Sequence, residues 1–138
     1  MLQQYAVRRA AEPHPEGGLD LAALMVMCDR MEQSSTRPGS RAADQLTALN
    51  LQFHVALHEG AGNRQLLRQL SGVIQAPLVR HTLHRHTAEE RARSRAHHRE
   101  ILHAAAAGDA DRAKSVMRSH VRNTRDPLRR VRAVARLA

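Results

Sequence analysis

Asn50, His54 and His58 fall four residues apart in LNLQFHVALHEGAGN (49–63), a stretch that also holds the only phenylalanine of the chain. Side chains at steps of four stack on one side of a helix, one turn above another. Leu46, Leu49, Phe53 and Leu57 form an adjoining apolar stripe, so part of the polar ladder borders the interior. A polar group facing a core needs a partner, which can be a side chain, a water or a metal ion.

Two further histidines share this position relative to an apolar stripe. His98 sits one turn before Ile101 and Leu102, and His120 follows Val116 and Met117 and precedes Val121. With His54, three separate helices each direct one imidazole inward. A lone inward histidine is ordinarily a hydrogen-bonded core residue. Three on three helices are different, because burying imidazoles against one another is costly unless something bridges them. A divalent metal does so, since neutral imidazole is its commonest ligand. The remaining histidines, His14, His81, His84, His86, His97 and His103, read as loop or polar-face residues in solvent.

The elements that must position these residues follow from the chain's breakers. PHPEGG (13–18), RPGS (37–40), GAGN (60–63), Pro77, GDAD (108–111) and Asp126-Pro127 divide the sequence. Between them apolar residues recur at three and four, never at two. The spacing predicts helices over 2–12, 19–34 (with Leu21, Leu24, Met25, Cys28 and Met31 inward) and 41–59, the last closed by Gly60 and Gly62. Asn63 is placed to cap a fourth from 64 to about 86, bent at Pro77. A fifth spans 89–107. A sixth starts at Asp109 or Asp111 and runs to about 123, and a short seventh segment follows Pro127. The expected fold is all-α, an antiparallel bundle of about six to seven helices.

Composition agrees. The chain has 138 residues, the length of one domain (1–138), and its aromatic content is only 1%. A core made of Leu, Ala, Val, Ile and Met suits close-packed helices. Cys28 is the single cysteine, which excludes an internal disulfide and fits a reducing cytoplasm. No apolar run is long enough to span a membrane, and the opening MLQQYAVRRAAEPHPEGG lacks a signal-peptide core.

Two segments resemble a known family. NLQFHVALHEGAGN is similar to the D/N-x-x-F-H-x-x-L-x-x-A-x-G-N element of the FCD domain, the effector-sensing half of FadR-type GntR transcription regulators. HHREILHAAAAGDADRAKSVMRSHV resembles that domain's E-H-x-x-I-L-x-A-x-x-x-G-D-x-x-x-A-x-x-x-M-x-x-H stretch, with His98 and His120 22 residues apart, as the element requires. The resemblance covers roughly 10–125. It implies a divalent transition metal, zinc or nickel, inside the bundle, with His54, His98 and His120 as imidazole ligands. The carboxylate ligand that the family places four residues before the first histidine is Asn50 here, whose amide oxygen is neutral and weaker. The glutamate of the family's E-H pair is His97. His58 is not a ligand in this scheme and reads as a polar residue near a helix end.

The resemblance further implies a sensor of a small carboxylate effector that takes an open position on the metal. Arg80 is a candidate effector-binding residue, because a guanidinium can clamp a carboxylate bidentately; its other reading is a solvated arginine. A homodimer is implied, with no enzymatic activity and no membrane contact. DNA contact is implied only through an N-terminal winged helix-turn-helix, which the sequence lacks: the chain opens on what resembles a truncated first FCD helix, as a fragment or a stand-alone protein. The alternative is a basic helical protein that binds nucleic acid non-specifically, suggested by the net charge of +9. It lacks any zinc-finger, RNA-binding or phosphate-loop motif. Steep salt dependence of DNA binding separates the two.

Overall fold

The computed structural model describes residues 2–13, 18–37, 39–73 and 86–135, and of 71–73 and 125–135 only the backbone. Among the described residues there are six helices: α1 (Leu2–Ala11), α2 (Leu21–Ser35), α3 (Ser40–Glu59), α4 (Arg64–Val73), α5 (Ala88–Ala106) and α6 (Ala110–Ala135). No strand occurs among the described residues.

Local chemistry explains where the helices begin. Asp20 Oδ1 accepts from the Ala23 N–H at 2.9 Å and starts α2. Asn63 Oδ1 accepts from the Leu66 N–H at 3.0 Å and starts α4, the cap expected from sequence. At α5 Thr87 and Glu90 satisfy one another's backbone N–H groups, at 3.1 and 2.8 Å. Gly62, at φ 66°, makes the left-handed turn after α3, and Gly108, at φ 68°, makes the one between α5 and α6.

Packing closes five helices into a ring. α1 contacts α3, α3 contacts α2, α2 contacts α5, α5 contacts α6, and α6 returns to α1. Neighbours joined by short turns, α2 with α3 and α5 with α6, run in opposite senses. The ring encloses Leu24, Met31, Phe53, Leu57, Ile101, Leu102 and Met117, each with almost no exposed surface. Cys28 belongs to this core, and burial pushes its thiol up to about 11, so it packs as an apolar group. α4 lies against α1 and α3 through a smaller cluster of Leu66 and Leu70 with Ala6 and Ala61.

The sequence expectations hold within two residues for α2, α3, α5 and the start of α6. The expected course of the fourth helix from residue 74 to 85, with Pro77 and the kink assigned to it, lies outside the described residues, and His86 sits in a bend before Thr87. One expectation departs from the structure. The seventh segment is not separate, because α6 passes unbroken through Asp126-Pro127 to Ala135. Proline withholds one N–H from the ladder, yet the Arg, Leu and Ala around it are strong helix formers that carry the helix onward.

Candidate metal centre

Three faces of the ring each deliver one imidazole to its interior. On α3 the same turns that bury Phe53 and Leu57 bury His54; on α5 His98 precedes Ile101 and Leu102; on α6 His120 follows Val116 and Met117. The relative exposures are 5% for His54, 1% for His98 and 5% for His120. His54 Nε2 and His120 Nε2 are 3.2 Å apart. Ring centroids lie 5.3 Å apart for His54–His98, 5.1 Å for His54–His120 and 4.6 Å for His98–His120. One ligand nitrogen from each falls within 4.8 Å of the other two. Phe53 closes one side, its ring 4.5 Å from that of His98.

The donor set fits a divalent ion. Two nitrogens bound to one tetrahedral zinc at 2.0–2.1 Å stand about 3.3 Å apart, close to the His54–His120 separation. Both ring nitrogens of His98, and Nδ1 of His54 and of His120, have no hydrogen-bond partner among the described residues. Buried polar atoms are rarely left so. Burial, then the neighbouring His120 and His58, hold His54 well below the usual imidazole range. Burial acts first on His98 as well, followed by His120, His54, His97 and Arg95. His120 is driven down to about 3 by burial, with His97 and His86 adding to it. All three are therefore neutral near pH 7, which is the form that binds metal.

Asn50 is buried on α3, one turn before His54. No carboxylate or thiol among the described residues joins the three nitrogens. Arg80 lies outside the described residues, as do His14, His81 and His84.

Two histidines read as polar or solvated are buried. His58, expected as a polar residue near a helix end, is only 1% exposed. Its ring centre is 6.2 Å from that of His54, its Nε2 has no partner among the described residues, and burial lowers it to about 4. Just beyond it, Gly60 lets the chain press against Leu19, Gly18 and Ala10. The place of His58 on the Asn50–His54 ladder was the available signal. His86 is 4% exposed, and neither ring nitrogen is partnered among the described residues. It precedes a helix rather than lying in one, so periodicity carried no signal for it. His97 is half-buried beside His120, at 6.0 Å between ring centres, and His103 is exposed as expected.

The ring of helices thus carries three inward imidazoles, on its α3, α5 and α6 members. The FCD domain profile matches residues 1–123, and the chain belongs to that family. FCD domains serve as the effector-binding part of GntR-type transcription regulators, and metal binding is known among them. No curated protein matches the sequence. Among the described residues no helix is long and apolar enough to cross a membrane.

Proposed function

We propose that this chain is a cytoplasmic effector-sensing and dimerisation domain, a single unit over 1–138, that recognises a small carboxylate through a divalent ion. His54, His98 and His120 hold the ion, and Asn50 offers a weak amide oxygen or leaves its place to the ligand. The observation that carries this reading is the convergence of three buried, neutral imidazoles from three helices within 4.8 Å. Zinc and nickel suit an imidazole-rich set best. When bound, the ion supplies a Lewis-acidic position for a carboxylate oxygen.

The protein's own residues do the rest. The apolar ring around Phe53, Ile101 and Met117 excludes water, which strengthens polar contacts made inside it. Because α3, α5 and α6 each contribute one ligand, ligation ties together helices that meet at this point mainly through side chains. The exposed Leu2, Tyr5 and Val26 on α1 and α2 supply apolar surface for a homodimer. Operator contact is assigned to a winged helix-turn-helix rather than to this bundle, and no catalysis is assigned.

The test is elemental analysis of purified protein, followed by a thermal-shift screen of the metal-loaded form against organic acids, sugar acids and amino acids. Stoichiometric zinc or nickel, with stabilisation by a subset of carboxylates, is the expected result. Absence of metal uptake after reconstitution refutes it. Light scattering that gives a monomer at micromolar concentration refutes the dimer.

A further inference from the structure

Among the described residues no negative charge meets a divalent ion on this triad. The three donors are neutral imidazoles, and no carboxylate or thiol among the described residues comes within reach of them. The adjacent ladder position holds Asn50, an amide. Glu90, the one buried acid among the described residues, lies on α5 two turns before His98, and its carboxylate accepts the Thr87 backbone N–H of the helix cap. The groups whose charge reaches the triad from outside it are His58, His86, His97 and Arg95, all of them basic.

A buried charge is tolerated when it is paired. With one carboxylate in its shell a divalent ion keeps a single net positive charge. With only His54, His98, His120 and an amide it keeps both, inside a ring of apolar side chains. No described residue supplies the missing counter-charge, and an anion from solution can bring it.

We propose that this domain takes up its metal as a metal–anion pair: a divalent ion is retained on His54, His98 and His120 only when an exogenous carboxylate fills the remaining coordination position. This rests on the metal-supported sensing proposed above and adds a direction to it. The effector is a condition of metal loading rather than a late arrival at a preformed centre. By reciprocity the metal raises carboxylate affinity by the same factor that carboxylate raises metal affinity. Without effector, α3, α5 and α6 lack their cross-link; with effector and metal together they are joined.

The experiment measures zinc affinity of the full chain by competition with a chromophoric chelator, in sodium perchlorate and in sodium acetate at equal ionic strength. Acetate is the carboxylate probe, and perchlorate is a weakly coordinating control. An anion that binds only the metal-loaded form raises apparent metal affinity by one plus its concentration over its dissociation constant. Acetate at ten times that constant should therefore tighten zinc binding about tenfold. In Asn50→Asp, which restores an internal negative charge, zinc should bind tightly in both salts, with a ratio within about twofold. The wild-type comparison decides the matter even if that variant does not fold.

Tight zinc binding that is equal in both salts overturns the pairing and leaves metal-supported sensing intact. Absence of zinc binding in either salt, in wild type and in Asn50→Asp, overturns both. An acetate effect of the same size in a folded Asn50→Asp overturns the assignment to the missing carboxylate. Equal enhancement by chloride overturns the choice of a carboxylate as the partner anion.

Discussion

His54 and His120, 66 residues apart in the chain, face one another through their Nε2 atoms at 3.2 Å. Both rings are neutral near pH 7, because burial is the first cause lowering each. A hydrogen bond between two neutral imidazoles needs one Nε2 to carry the proton and the other to accept it, so the two rings hold opposite tautomers. A metal on these atoms needs both Nε2 lone pairs. Long-range proton–nitrogen correlation spectra of the metal-free protein should show one ring of each tautomer. Zinc should convert both to the Nδ1–H form. Two identical tautomers before zinc is added would contradict the pairing.

Metal loading should be visible as stability. A ligand that binds only the folded state, present at a hundred times its dissociation constant, contributes about 2.7 kcal/mol. For a domain of this size that raises Tm by about 9 °C. The measurement is a melt in a carboxylate buffer with zinc, with zinc and excess chelator, and with the apo protein. His98→Ala should lose the zinc-dependent rise, since it removes one of three ligands. A rise of the same size in that variant excludes His98 from the set.

Gly60 offers a purely steric test. A Cβ there would stand 2.4 Å from Leu19 Cδ2, 3.0 Å from the Gly18 carbonyl oxygen and 3.3 Å from Ala10 Cβ. The Leu19 tip can rotate aside, but the Gly18 carbonyl is backbone and also accepts no relief from moving, because the Gly18 N–H is bonded to the Gly60 carbonyl at 3.1 Å. Gly60→Ala should cost about 1–3 kcal/mol by urea denaturation, in the range of overpacked cores. A loss below half of that would mean that the 18–19 segment shifts freely.

Much of this site was legible because helical periodicity reports which residues share a face. His54, His98 and His120 each sat beside an apolar stripe, and Asn63 stood where a cap was needed. Periodicity gives a face but not its depth. His58 shared the ladder of His54, yet a shared face does not tell how deeply each of its residues is buried. His86 lies before Thr87, outside any repeat, so no local pattern marked it. The Thr87-x-x-Glu90 capping box was present in the sequence and fixes the start of α5 better than the apolar spacing does. At Pro127 the local rule for a breaker lost to the helix-forming residues on either side.

Acid should unfold the metal-free protein. His54, His58, His98 and His120 are all depressed by burial, His58 to about 4 and His120 to about 3, against 6.5 when unfolded. Between those values the unfolded chain binds protons that the folded one does not, so stability rises with pH. It is fully present above about pH 7 and is lost as pH falls through 6.5 toward the folded values. At pH 5 His58 and His120 each cost about 2 kcal/mol. These two alone remove a large part of the stability of a typical domain, about 5–15 kcal/mol, and His54 and His98 act in the same direction. Far-UV circular dichroism against pH should show cooperative loss of helix at or somewhat below pH 5. Retention of full helicity at pH 4 would show that these imidazoles protonate without opening the bundle.

His58→Leu separates a structural histidine from one held for a ligand. The imidazole is 1% exposed and its Nε2 has no partner among the described residues. An unsatisfied buried polar group costs about 1–3 kcal/mol, whereas an apolar side chain of similar size in the same place does not carry that cost. The position follows Leu57 of the main core, and its ring centre lies 6.2 Å from that of His54. In the metal-free protein the variant should therefore be more stable than wild type by about 1–2 kcal/mol at neutral pH. The gain should grow in acid, because one proton-binding site of the unfolded state is removed along with the imidazole. Urea denaturation at pH 7.5 and 5.5 measures both. A loss of stability at both pH values would show that His58 Nε2 is hydrogen-bonded in solution, through a water or an occupant of the cavity that the substitution displaces.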